Sequence, residues 1–177
     1  MDTEYFTPDG TPPGDYYLFV AALVPYKRVD LALAACRQLG RRLVVVGDGP
    51  ERRQLTAAAP PATIWRRSVT REELRALYRG CRAVIFPAHE DFGIVPVEAN
   101  ACGRPVVALA RGGAQETQTA DSAVLFAEPT AAALAAALRE AEGRDWRPDA
   151  ARAAAERFST ARFRGEFMAA MAGRYGG

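Results

Sequence analysis

At 177 residues, with 49% hydrophobic and 25% charged residues and a formal net charge of +2, the chain has the size and apolar content of one domain with a sizeable core. The charge is too small to be an electrostatic footprint for nucleic acid, and no apolar run has the length of a membrane span or the pattern of a signal peptide. Cys36, Cys81 and Cys102 are odd in number and lack CxxC spacing, so they read as small buried hydrophobes of a reducing cytosol, not a disulfide frame or zinc site.

Residues 1–15 carry Pro8, Gly10, Pro12, Pro13 and Gly14 without periodicity and read as an extended arm or linker. A first strand, Tyr17 to Ala21, precedes a helix at about Arg28 to Leu39, which Gly40 ends. Leu43 to Val46 is continuously apolar, as in a parallel strand covered on both faces. The turn Gly47-Asp48-Gly49-Pro50 leads into a short helix from Glu51, and Pro60-Pro61 precedes a weaker strand, Thr63 to Trp65. Thr70 and Glu73 form a capping box for a helix through Tyr78. The strand Ala83 to Phe86 follows, then an acidic loop, then a helix with Pro96 at its first position and Gly103 beyond its end. Pro105 to Leu109 is a strand, Gly112-Gly113 a loop, and Ala123 to Phe126 a last strand. Helices are expected at Thr130 to Glu142, Pro148 to Arg157 and Thr160 to Arg174. Strands alternating with helices at short spacing define an α/β class, a doubly wound parallel sheet of about six strands.

Three loops fall at the carboxyl ends of strands, where open α/β sheets bind ligands. Of 23 basic residues, 22 are arginine; Lys27 is the single lysine, as His89 is the single histidine. Lys27 is either a chance survivor of an arginine-rich composition or a position that needs a compact ammonium. With Arg28 it lies at a helix N-terminus, where backbone N–H groups and the dipole already favour an anion, so the pair reads as a phosphate site. Gly47 and Gly49 form either a plain turn or a place of close backbone approach to a ligand. They do not make GxGxxG, which argues against an NAD site. Glu90 and Glu98 stand eight positions apart, one after a strand and one read into the first turn of a helix. Two acids aimed at one crevice suit a ligand with vicinal hydroxyls. The apolar stretch Phe92-Gly93-Ile94-Val95-Pro96 between them is unlike a solvated surface loop.

Four blocks, Tyr17–Arg28 (YLFVAALVPYKR), Val45–Glu51 (VVGDGPE), Phe86–Pro105 (FPAHEDFGIVPVEANACGRP) and Arg111–Thr117 (RGGAQET), resemble in order the C-terminal half of retaining GT-B glycosyltransferases of family 4. The resemblance is to mannosyltransferase-like bacterial members, and Glu90 and Glu98 fill the two acid positions of their E-x7-E motif. It implies a Rossmann-like domain over residues 16–177 that binds a nucleoside-diphosphate sugar such as GDP-mannose or a UDP-sugar. Lys27, supported by Arg28, would contact the diphosphate, and Glu98 the ribose hydroxyls. Glu90 and the backbone of Phe92, Gly93 and Ile94 would surround the donor sugar and its phosphate. Gly47 and Gly49 would lie near the nucleotide. Lys27 and Glu90 are the expected catalytic residues, with no metal and no cofactor beyond the substrate.

The sequence departs from the family pattern in three places. Ala21-Ala22 replace a frequent Gly-Arg and remove a second phosphate-binding cation, Arg67-Ser68 replace another Gly-Arg near the expected base site, and His89 stands where an acid is frequent. The resemblance also implies an acceptor-binding N-terminal domain as partner. This chain is thus expected to be an excised domain or half of a split enzyme, cytoplasmic, with peripheral membrane contact through the other half. A reading from another class, a non-catalytic nucleotide-binding or assembly module, uses the same loops without chemistry.

Overall fold

Every strand of the computed structural model runs parallel to its neighbours, in the order β3-β2-β1-β4-β5-β6. The structure describes residues 1–175; Gly176 and Gly177, the end of the expected domain, lie outside them. The strands are β1 (Tyr16–Val20), β2 (Arg42–Val46), β3 (Ile64–Arg66), β4 (Ala83–Phe86), β5 (Val106–Leu109) and β6 (Ala123–Phe126). The helices are α1 (Val29–Leu39), α2 (Arg52–Ala58), α3 (Arg71–Gly80), α4 (Ile94–Ala101), α5 (Gly113–Thr117), α6 (Ala131–Glu142), α7 (Pro148–Glu156) and α8 (Thr160–Tyr175). The expected class and strand number are those observed.

Side chains alternate across the sheet, and both faces are covered, which is why the strands read as unbroken apolar runs. Tyr17, Phe19, Leu43, Val45, Ile85 and Val107 pack with α1 and α6 through Val29, Leu33, Leu134 and Leu138. Leu18, Val44, Val84 and Val106 pack on the other face with Tyr78 of α3, Val97 and Ala101 of α4 and Ala155 of α7.

Three elements differ from expectation. Pro25–Lys27 is a turn of 3₁₀ helix, and α5 occupies part of the stretch read as a glycine loop. Both are too short to show a hydrophobic period. Helix α4 begins at Ile94, not Pro96. A proline lacks an N–H, but the first-turn N–H groups have no intrahelical partner, so Pro96 fits the third position as well as the first.

The arm opens with a turn over residues 3–5 and is exposed over residues 9–15, yet its first eight residues pack against the domain. Phe6 is buried and meets the Tyr78 ring edge-on at 5.8 Å. Arginines hold the arm's carbonyls: Arg79 donates to Thr7 O at 2.6 Å, Arg75 to Tyr5 O at 3.3 Å, and Arg152 to Phe6 O at 3.2 Å and Thr3 O at 3.3 Å. Arg104 donates to Thr11 O, and Arg71 pairs with Asp2. Phe6→Ala is expected to cost ~3 kcal/mol in urea unfolding, the range for a buried phenylalanine; a loss under ~1 kcal/mol would show that the arm lies outside the cooperative core.

Candidate functional site

The strand order reverses between β1 and β4, so the loops after these two strands diverge to opposite faces and leave a crevice at the carboxyl edge. A cleft of about 490 Å³ lies there, lined by Val20 and Ala21, by Tyr26 and Lys27, and by residues 89–95. A larger cavity of about 560 Å³ sits at the opposite edge, between the arm and the segment around Trp146. Several of its polar groups are already held by protein partners. Glu142 accepts from Tyr17 at 2.7 Å and from Arg41 at 2.7 and 2.9 Å, and Arg82 stands 3.6 Å away. Arg41 foremost holds the Glu142 carboxyl down at about 2, despite the opposing effect of burial. Trp146 Nε1 donates to Ala141 O at 2.8 Å. The carboxyl-edge cleft, at the strand-order reversal where open α/β sheets bind ligands, is the better site.

Glycine geometry builds the first wall. Gly47 has φ +145°, and a Cβ there would lie 1.9 Å from Ala21 O; one on Gly49 would lie 2.5 Å from Leu23 O. The loops after β1 and β2 touch backbone to backbone, with Leu23 N donating to Asp48 O at 2.9 Å and Glu51 N to Leu23 O at 3.2 Å. These glycines thus make room for a neighbouring loop. They fix the chain entering the 3₁₀ turn, closed by Lys27 N to Val24 O at 3.1 Å.

The second wall is the acidic loop, and the loop after β5 braces it. Gly113 N donates to Glu90 O at 2.8 Å. A Cβ on Gly113 would lie 2.4 Å from Phe92 Cα, and one on Gly112, at φ +59°, 2.3 Å from Glu90 O. The doublet's role as a brace was not legible, because sequence alone cannot say which backbone a glycine admits. Tyr26, His89, Asp91 and Val95 also line the cleft. Of these, Tyr26 and Asp91 had no signal, although the Tyr26 ring lies 4.9 Å from the Lys27 ammonium.

Lys27 and Glu90 face each other across this cleft as an ion pair, their side chains only 14% and 24% exposed. Gly93, at φ +78°, caps α4 without a side-chain hydrogen bond, and no acid occupies that helix's first turn. Gly93, Ile94 and Val95 line the cleft with Lys27, and first-turn N–H groups without a side-chain cap beside an ammonium suit an anion.

Two expected residues stand elsewhere. Arg28 is the αL residue ahead of α1, at φ 56°, and its guanidinium forks onto Asp30 at 3.0 and 2.9 Å. It supplies no charge to the cleft lining while so held. Glu98 does not line the same cleft as Glu90. It is the fifth residue of α4, about 6 Å along the helix from Ile94, and accepts the Tyr78 hydroxyl at 2.9 Å. Burial pushes the Glu98 carboxyl above its usual value, opposed by Tyr78, Arg71 and the chain's amino group. The earlier start of α4 accounts for this placement. No group of three or more His, Cys, Asp and Glu side chains with metal-binding geometry occurs among the described residues.

A cleft at the reversal of strand order narrows the class, and comparison with known proteins gives the family. Residues 7–158 match the family model described as glycosyl transferases group 1, and the chain belongs to that family. A D-inositol 3-phosphate glycosyltransferase of Frankia alni is 36% identical over 125 residues, covering 56% of this chain and 30% of that protein. An uncharacterized glycosyltransferase of Methanocaldococcus jannaschii is 32% identical over 112 residues, covering 58% and 31%. Among solved structures, Anabaena HepE in complex with UDP and glucose superposes with a TM-score of 0.81 at 21% identity, over 97% of this chain and 55% of that one. The C-terminal domain of a group 1 glycosyltransferase from Francisella tularensis superposes at 0.66 and 18% identity, over 88% of this chain and 92% of that one. The chain thus spans about a third or less of the curated relatives it matches. No helix among the described residues is long and apolar enough to cross a membrane.

Gly47→Ala and Gly113→Ala are each expected to lose about 2–3 kcal/mol in urea unfolding, since backbone must shift. Gly165→Ala, with nothing within 4 Å of the new Cβ, is expected to be neutral or to gain about 0.5–1 kcal/mol in its helix. Equal effects at all three positions would show that the loop contacts do not hold the site.

Proposed function

We propose that this chain is the donor-binding domain of a retaining glycosyltransferase that transfers a hexose from a nucleoside-diphosphate sugar to a glycan or lipid-linked acceptor. The observation that carries the reading is the Lys27 ammonium beside the open first turn of α4, with Glu90 opposite, in one cleft at the strand-order reversal. The diphosphate lies against Lys27 and the N–H groups of Gly93 to Val95, where fixed donors stabilise charge that grows as the glycosyl bond breaks. That is the role a metal would otherwise fill, and the reading requires none. Glu90 accepts hydrogen bonds from the sugar hydroxyls.

Glu98, one turn deeper, accepts from the ribose, sharing its carboxylate with Tyr78. Gly47 and Gly49 border the nucleotide, and Arg28 adds charge if it exchanges Asp30 for phosphate. Uridine diphosphate sugars are the first donors to test, because the Anabaena neighbour was solved with UDP-glucose; GDP-mannose is the second. An acceptor-binding domain supplies the other wall and orients the acceptor, a large part of the rate enhancement.

Calorimetric titration with UDP-glucose, GDP-mannose, UDP, GDP and NAD tests the reading. Micromolar binding of one nucleotide sugar is expected, weakened about tenfold to a hundredfold in Lys27→Ala, as for loss of a charge-assisted hydrogen bond. Failure of every nucleotide to bind would overturn it.

The pH dependence has a defined sign. Glu98 must be ionised to accept two hydroxyls, and its value lies above the ordinary 4.5. Affinity should therefore fall as pH is lowered, beginning above 4.5, and Glu98→Gln should bind weakly without that step. Tyr78, Arg71, Cys102 and the chain's amino group are the ionisable groups around it. An unchanged pH profile in the variant would remove Glu98 from the site.

A further inference from the structure

The charge in the cleft is unusual for a place that holds a diphosphate. Its lining contains one cation, Lys27, against two carboxylates, Glu90 and Asp91. Arg28, the next residue in the chain, is forked onto Asp30. The one ammonium is held by Glu90, and both partners are largely shielded from water, so the pair is screened less than a surface pair.

The two ligands of the proposed site differ in charge where this matters. In a nucleotide sugar the terminal phosphate is esterified to the glycosyl group and keeps a single ionisable oxygen. In the nucleoside diphosphate left after transfer, that phosphate is a monoester whose second ionisation lies near pH 6, so at neutral pH it bears additional negative charge. That charge falls at the Lys27 end of the cleft, beside Glu90. The glycosyl group brings hydroxyl donors that a carboxylate accepts; the bare diphosphate brings only acceptors.

We propose that Glu90 is a charge gate on Lys27. Its carboxylate competes with a bare diphosphate for the ammonium, and tolerates a nucleotide sugar because the sugar hydroxyls engage it. The cleft then prefers donor over spent nucleotide and expels the product. This inference rests on the nucleotide-sugar reading of the site. The 3₁₀ turn and the Gly113 brace hold the two groups face to face from separate loops, so the competition is built into the backbone.

The test is calorimetric titration of the whole chain with UDP and UDP-glucose, and with GDP and GDP-mannose, for wild type, Glu90→Gln and Glu90→Gln/Lys27→Ala. Glu90→Gln keeps the shape and a hydroxyl acceptor but removes the charge. It should bind the diphosphate roughly three- to tenfold tighter, as expected for relieving one like charge at contact range in a partly wet cleft. It should bind the matching nucleotide sugar no tighter, and the double variant should lose the gain. Glu90→Ala, which also removes the charge, should tighten the diphosphate in the same direction, which keeps the gate testable if Glu90→Gln folds poorly. Diphosphate affinity unchanged in the charge-removing variants, or an equal gain for both ligands, would each overturn the gate while leaving the site reading standing. No binding of any nucleotide to wild type would overturn both.

Discussion

A Cβ on residue 47 would lie 1.9 Å from the carbonyl oxygen of Ala21, so the loop after β1 can occupy its place only because that residue is glycine. From this contact follows the hydrogen-bonded seam between the loops after β1 and β2, then the 3₁₀ turn, and at its end Lys27. On the other side of the cleft, Gly113 touches the backbone of Asp91 and Phe92 and holds Glu90 O. Ammonium and carboxylate are thus positioned by loops in which side chains have been removed to let backbones meet. A contact of this kind leaves little room for drift, as a binding wall requires.

The sheet was legible because its strands are buried on both faces and read as unbroken apolar runs, and because capping residues such as Thr70 mark helix starts. Short elements were not. The turn at Pro25–Lys27 and the five-residue α5 have no room for a period. Pro96 misplaced the start of α4, since any position in the first turn accepts a residue without an N–H. The arm's prolines and glycines concealed Phe6, and nothing in sequence links Thr3, Phe6 or Thr11 to the arginines that hold them.

At the site, residue types were legible and their partners were not. Lys27 stood out as one lysine among 22 arginines, and it does reach the cleft, though its bond to Glu90 was not foreseen. Arg28 beside it turns to Asp30. Glycine is the sharpest case. Gly47 and Gly49 were read as room for a ligand or as a plain turn, and Gly112-Gly113 as a loop, whereas the structure fills the space beside all four with protein. Glu98 was read beside Glu90; an earlier helix start moves it a turn deeper, to Tyr78. The family follows from the whole matched segment, while the roles of these side chains rest on the local chemistry described.

The most direct test is a crystal structure of the chain with UDP or UDP-glucose bound. The diphosphate is expected against Lys27 and the backbone N–H groups of Gly93 to Val95, with the contact between Lys27 and Glu90 opened. A nucleotide seated at the opposite edge beside Arg82 and Trp146, or a diphosphate that leaves Lys27 bonded to Glu90, would contradict it.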